Sequence, residues 1–218
     1  MPKFVPGLRL SELYYRQIVE PILKTRFPRL KYSAGLVGSG SEILGYDTPQ
    51  SMDHNWGLRL FLFLTEKDLR TKSSQIDNEL CMSLPRSFLG HSTSFGKPDE
   101  VGVRTPKQNN SEKVEHYIMF YSIRSFFKEY LNTDPYRKIG VSTWLTLPQQ
   151  KLLSIVKGKI FHDDLGIRRI IRNFEYYPRD VWLFMLASQW AKISQKEAFV
   201  ARTAVVGDEL GSRIIASD

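Results

Sequence analysis

The stretch Leu36-Val37-Gly38-Ser39-Gly40-Ser41-Glu42-Ile43-Leu44-Gly45-Tyr46-Asp47-Thr48-Pro49-Gln50-Ser51-Met52-Asp53-His54-Asn55-Trp56-Gly57 decides how the chain is read. An apolar run ends in a Gly-Ser pair. About a dozen residues later come Asp53 and, two positions on, Asn55, just ahead of the most apolar segment of the chain, Leu58 to Leu64. Small residues let backbone N–H groups approach phosphate oxygens closely. An acidic residue at the start of a strand can hold a hard cation such as Mg²⁺ against those phosphates. The layout therefore suits a nucleoside triphosphate with its metal. On an extended segment Asp53 and Asn55 face one side, with His54 on the other. An amide oxygen is a legitimate hard ligand, but it brings no charge, and two metal ions with a triphosphate call for about three carboxylates.

Outward from this stretch, Tyr32 to Val37 reads as a short buried strand closed by Gly38. Ser41 to Leu44 reads as a loop or short helix, and Asp47-Thr48-Pro49 as a turn. Leu58 to Leu64 is too short for a membrane span and too apolar for a surface, so it reads as a buried strand. Towards the N-terminus a helical pattern opens at Ser11 and Glu12 and runs to about Phe27, with Pro21 expected to kink or split it. Thr65 caps a helix to about Met82. A strand is expected within Phe88 to Phe95 and another within Val114 to Tyr121. A Gly-, Pro-, Asn- and Lys-rich loop separates them at 96–113, and a helix follows from Ser122 to Leu131. Pro148 opens a helix to Val156, and Leu165–Phe174, Arg179–Lys192 and Ser194 onward read as further helices. The expected organisation is α+β: a mixed sheet with flanking helices over residues 1–135, then an all-helical domain over 136–218.

The 218 residues are 42% hydrophobic and 25% charged, ordinary proportions for a globular protein able to bury a core. No apolar run reaches the eighteen or so residues of a membrane helix. The opening residues carry no apolar leader, and a single cysteine, Cys81, excludes an internal disulfide framework. Together these point to a reducing, cytoplasmic setting. Cys81 itself reads as a small apolar helix residue. The net charge of +8 fits an anionic ligand. It does not single out nucleic acid, because the basic residues are spread out and no aromatic-basic repeat is present.

Several further groups bear on chemistry. Glu197 and Asp208 lie eleven apart, close to three helical turns, and share a face. They are candidates for a general base if that face meets the nucleotide, and Glu197 could equally pair with Lys192 or Lys196 on a solvated surface. Arg202 and Arg213 share the same spacing. His162 could pair with Asp163 or Asp164, while His91 and His116 stand isolated, and no His/Cys spacing indicates zinc. Trp182, Phe184, Leu186 and Trp190 are expected to pack a core.

These motifs resemble a family of uncharacterised proteins in the DNA-polymerase-beta-like nucleotidyltransferase superfamily. The resemblance rests on Gly38-Ser39-Gly40-Ser41, Glu42-Ile43-Leu44-Gly45, Ser51-Met52-Asp53-His54, Trp56-Gly57 and the opening Phe4-Val5-Pro6-Gly7-Leu8. It continues through Trp144-Leu145-Thr146, Phe161-His162-Asp163, Tyr177-Pro178-Arg179-Asp180-Val181-Trp182, Gln189-Trp190, Glu197-Ala198-Phe199-Val200 and Val206-Gly207-Asp208-Glu209-Leu210-Gly211-Ser212. It implies a nucleotidyltransferase-like α/β domain followed by a helical domain, in a chain shorter than its relatives at the C-terminus. It also implies transfer of a nucleoside monophosphate from a triphosphate such as ATP to an acceptor hydroxyl. Gly38, Ser39, Gly40 and Ser41 then fall on the phosphate-binding segment and Asp53 on the first metal position. Asn55 stands at the second metal position, and Met119 stands where a third carboxylate is expected on the neighbouring strand. A relative that keeps the fold and the nucleotide but not turnover is the alternative expectation, and a basic RNA-binding or protein-interaction module is a third.

Overall fold

The computed structural model describes residues 4–53, 56–100, 103–107 and 113–196, with the side chains of Met52 and Asp53 outside that description. Two compact units are formed, Met1–Ile139 with Leu147–Tyr176, and Gly140–Thr146 with Tyr177–Asp218.

The first unit opens with one long helical run: α1 (Gly7–Tyr14), a π-helical turn at Tyr15–Val19, and α2 (Glu20–Arg26). The break expected at Pro21 takes the form of that π turn. Proline has no N–H to donate to the fourth residue back, and its ring would press on that carbonyl; a widened turn just ahead of it relieves both. Strand β1 (Tyr32–Leu36) leads through Gly38–Gly40 into the one-turn helix α3 (Ser41–Leu44). A 3₁₀ turn at Pro49–Asp53 precedes β2 (Arg59–Leu64). Then come α4 (Glu66–Ser83), a small hairpin of β3 (Ser87–Phe88) and β4 (His91–Ser92), strand β5 (Tyr117–Tyr121) and α5 (Ile123–Leu131).

The helix starts follow their caps. Thr65 Oγ1 accepts the Asp68 amide at 3.0 Å to open α4. Ser122 Oγ accepts the Ser125 amide at 3.0 Å while Ser125 Oγ accepts the Ser122 amide at 2.9 Å, a reciprocal capping box for α5. Between the hairpin and β5, the Gly96 amide meets the Thr105 carbonyl at 2.8 Å and Phe95 bridges Pro106, so the described part of the expected loop is tied back on itself.

After α6 (Val141–Thr146) and α7 (Gln149–Lys157) the chain makes β6 (Lys159–Asp163) before α8 (Ile167–Arg172). This corrects the expectation of an all-helical stretch after residue 136. Lys159–Asp163 pairs antiparallel with β1 and completes a four-stranded mixed sheet in the order β5-β2-β1-β6. The β1–β2 pairing is antiparallel and β2–β5 parallel. A five-residue strand whose partner lies more than a hundred residues upstream leaves no periodic signal of its own, and the helical patterns on either side mask it.

All six residues of β2 are buried, as befits an inner strand covered on both faces. On one face Phe126 of α5 meets the rings of Phe61, Phe63 and Tyr121, with ring centroids 5.3, 5.4 and 5.7 Å apart. Within the second unit, the described residues comprise α6 and a helix over 179–196. Trp144 packs edge-on against Tyr177 at 5.5 Å. Trp182, Phe184, Leu186 and Trp190 are exposed, Trp190 at 71%, where core packing is expected. Within that helix the run 181–187 is apolar without a break, and the described part of the unit is too small to bury all of it.

Candidate functional site

The turn after β1 is built by glycine geometry and a buried ion pair. Gly38 and Gly40 sit at φ +87° and +147°, conformations that residues with a Cβ rarely adopt. A Cβ on Gly40 would fall 2.1 Å from Arg59 Nη2 and 2.3 Å from Glu42 Oε2. Arg59, the first residue of β2, donates from Nε to Glu42 Oε1 at 2.7 Å and from Nη2 to the Ser39 carbonyl. Both side chains are almost wholly buried, 6% and 3% exposed. A charge at such depth is tolerated only when paired and hydrogen-bonded, so this guanidinium fixes the turn to the inner strand.

Next to the turn lies a cleft of about 590 Å³, lined by Ser39, Gly40, Ser41, Leu44, Tyr46, Tyr130, Pro148, Gln150, Lys151 and Ser154. Its far wall is α5 and α7. The Tyr130 hydroxyl lies 3.2 Å from Ser39 Oγ and 2.9 Å from Ser154 Oγ, and the Gly38 amide donates to the Ser154 carbonyl at 3.2 Å. Lys151 Nζ donates to the Tyr130 carbonyl at 2.9 Å and stands 5.0 Å above the Tyr130 ring. Among the described residues none accepts the backbone N–H of Ser39, Gly40 or Ser41. The cleft therefore offers amides, hydroxyls and one ammonium, a donor set for an anion. None of its described lining residues is a carboxylate.

Three of the four phosphate-binding candidates, Ser39, Gly40 and Ser41, thus line one cleft, while Gly38 lies behind them with its amide bonded to the Ser154 carbonyl. Asp53 closes the 3₁₀ turn, so its backbone is not the extended segment on which it and Asn55 would face one side. The reason is local: Ser51 donates its amide to the Thr48 carbonyl at 2.8 Å and its hydroxyl accepts the Thr48 amide at 3.1 Å, with Pro49 pre-set for the turn. Asn55 and His54 lie outside the described residues, as do Glu197, Asp208, Arg202 and Arg213. Beyond α3, Asp47 holds the segment in place, its Oδ2 accepting the Gly7 amide at 2.7 Å and Trp56 Nε1 at 3.0 Å. Met119 on β5 pairs with Phe61 of β2, and Glu115 is exposed ahead of that strand.

His162 Nε2 lies 2.9 Å from Asp164 Oδ2. Asp163 is committed elsewhere: it accepts Ser33 Oγ at 2.7 Å and the amides of Ile167 and Arg168 at 2.9 and 3.1 Å, joining β1 to the start of α8. Burial alone would push its carboxyl up, but these three donors outweigh it and hold the group below the usual aspartate value.

Sequence reasoning missed Tyr130, Lys151 and Ser154. They lie about a hundred residues from the turn they face, and nothing local marks a tyrosine or a lysine on a helix as a cleft residue. Lys151 alone carried a hint, as a cation one turn into a helix whose other side is apolar.

Residues 144–218 match the model of a family described as Domain of unknown function (DUF4037). No curated protein and no solved structure matches the chain. The matched segment contains Lys151 and Ser154 but not the turn at Gly38–Ser41. Among the described residues, no helix is long and apolar enough to cross a membrane.

Proposed function

We propose that the chain is a nucleotidyltransferase-like protein that takes the triphosphate of a nucleotide into the cleft at Gly38–Ser41 and transfers its nucleoside monophosphate to an acceptor hydroxyl. The observation that carries this reading is the cleft itself, where three backbone amides, the hydroxyls of Ser39 and Ser41 and the Lys151 ammonium border one hollow. Amides and hydroxyls would hold phosphate oxygens, and Lys151 would offset their charge. Arg59 and Glu42 would keep the turn in its binding shape, so that little ordering is left for the moment of binding.

A divalent metal, Mg²⁺ by the hardness of its ligands, belongs to this proposal through Asp53 and Asn55, and when bound it would neutralise phosphate charge and align the reacting groups. The described cleft lining supplies no carboxylate of its own, so Asp53 would bring the charge to the metal and Asn55 a neutral oxygen. Glu197 and Asp208 remain the candidates for general base.

A second reading, nucleotide binding without turnover, is favoured by the β5 register. The strand beside β2 carries Met119 opposite Phe61, where a third acid would serve the metals.

A thermal-shift scan with ATP, GTP, CTP and UTP, each with and without Mg²⁺, tests both. Stabilisation that needs metal and disappears in Asp53→Ala supports transfer, and pyrophosphate release with any acceptor establishes it. Stabilisation independent of metal supports binding alone. No response to any nucleotide removes both readings.

A further inference from the structure

A second cluster lies away from the cleft, on α4 and the segment entering β5. Asp77 and Cys81 are four residues apart on α4 and so share a face. His116 comes to them from the other segment, held there by the Val114 amide donating to the Cys81 carbonyl at 2.8 Å. One ligand atom from each of the three side chains falls within 4.8 Å of the others, the one place among the described residues where three such groups converge.

The His116 side chain is 3% exposed, and its buried Nε2 makes no hydrogen bond. That nitrogen lies 3.4 Å from Asp77 Oδ1, too far for a good hydrogen bond. It is the separation that two ligands about 2.0–2.1 Å from one tetrahedral ion require, roughly 3.4 Å. Asp77 is 48% exposed, which leaves one side open to water.

We propose that Asp77, Cys81 and His116 bind a divalent cation of borderline softness, zinc by the chemistry of the set, with water as fourth ligand. One thiolate, one imidazole and one carboxylate suit Zn²⁺ better than the hard ions Mg²⁺ and Ca²⁺. Binding releases the Cys81 thiol proton and places the imidazole ring proton on Nδ1. The Ile118 amide, now 3.2 Å from His116 Nδ1, gives up that long contact in exchange for the metal–nitrogen bond. Lys113 and Glu115 stand near Cys81 with opposite charges, and Arg104 lies near His116. The ion would clamp α4 to the strand entry and stabilise the first unit independently of any nucleotide.

The test is a titration of the full chain, stripped with chelator, with Co²⁺. One equivalent is expected to give the visible bands of tetrahedral cobalt and a near-ultraviolet thiolate-to-cobalt band, all removed by Zn²⁺. Cys81→Ser is expected to lose the near-ultraviolet band, while His116→Gln and Asp77→Asn each weaken binding at least about tenfold. Far-ultraviolet circular dichroism checks the fold of each variant. Asp77→Asn changes a half-exposed group and gives the same readout if His116→Gln does not fold. Absence of the thiolate band in the folded wild type overturns the proposal. So does cobalt affinity that responds to Cys81→Ser but not to Asp77→Asn, which would mark a bare thiol.

Discussion

Arg59 and Glu42 illustrate what single residues do here. Each is buried on the strength of the other, so removing one leaves an uncompensated charge in the interior. Glu42→Gln and Arg59→Met are each expected to cost about 3–5 kcal/mol in urea denaturation, and the double variant far less than their sum. Additive losses would show that the pair does not act as a unit. Gly40 answers to the same pair: Gly40→Ala is expected to cost about 1–3 kcal/mol, because its Cβ displaces Arg59 and its φ is unfavourable. Asp163 bears on pH. Its carboxyl is held below the unfolded value near 3.8, so the stability it contributes is present above that pH and is lost as pH falls through the folded value. The difference in Tm between wild type and Asp163→Asn is therefore expected to narrow as pH drops from 6 to 3, and a constant difference would contradict the sign. Of these residues, the sequence marks Gly40 and Asp163 as noteworthy but not their reasons. Arg59 reads as the lone cation of an apolar strand, because its partner is identified only when α3 folds over β2.

At the scale of elements, local signals were legible where local chemistry decides. Thr65 and Ser122 announce α4 and α5, because a hydroxyl that meets an amide three residues on needs no distant partner. Ser122 does more than cap, since its hydroxyl also donates to Glu66 Oε1 at 2.8 Å. Ser122→Ala is expected to cost about 1–2 kcal/mol, read as a lowered denaturation midpoint with an unchanged slope. Strand β6 shows the opposite case. Lys159–Asp163 is a strand because β1 offers it an edge, a fact that lies 125 residues away in the chain. At Asp53 local chemistry also decides: the Thr48–Ser51 turn governs the residues ahead of the apolar segment.

For the whole molecule, the sheet order brings β1, and with it the turn, next to both β2 and β6. The chain then closes the cleft with α5 and α7, elements that no motif near Gly38 mentions. The α+β class was readable from the helix and strand signals along the chain, and the glycine turn after β1 from residues 36–45. The far wall was not, because it depends on how α7 returns to the sheet beside β1. Whether the cleft takes a triphosphate is the central claim, and the two walls give it a sharp test. Isothermal titration of each nucleoside triphosphate into wild type and Lys151→Gln measures it directly. The wild type is expected to bind, and the variant to lose at least about tenfold in affinity, about 1.4 kcal/mol, for the same nucleotide. Equal affinity in the two proteins, or no heat with any triphosphate in either, would contradict it.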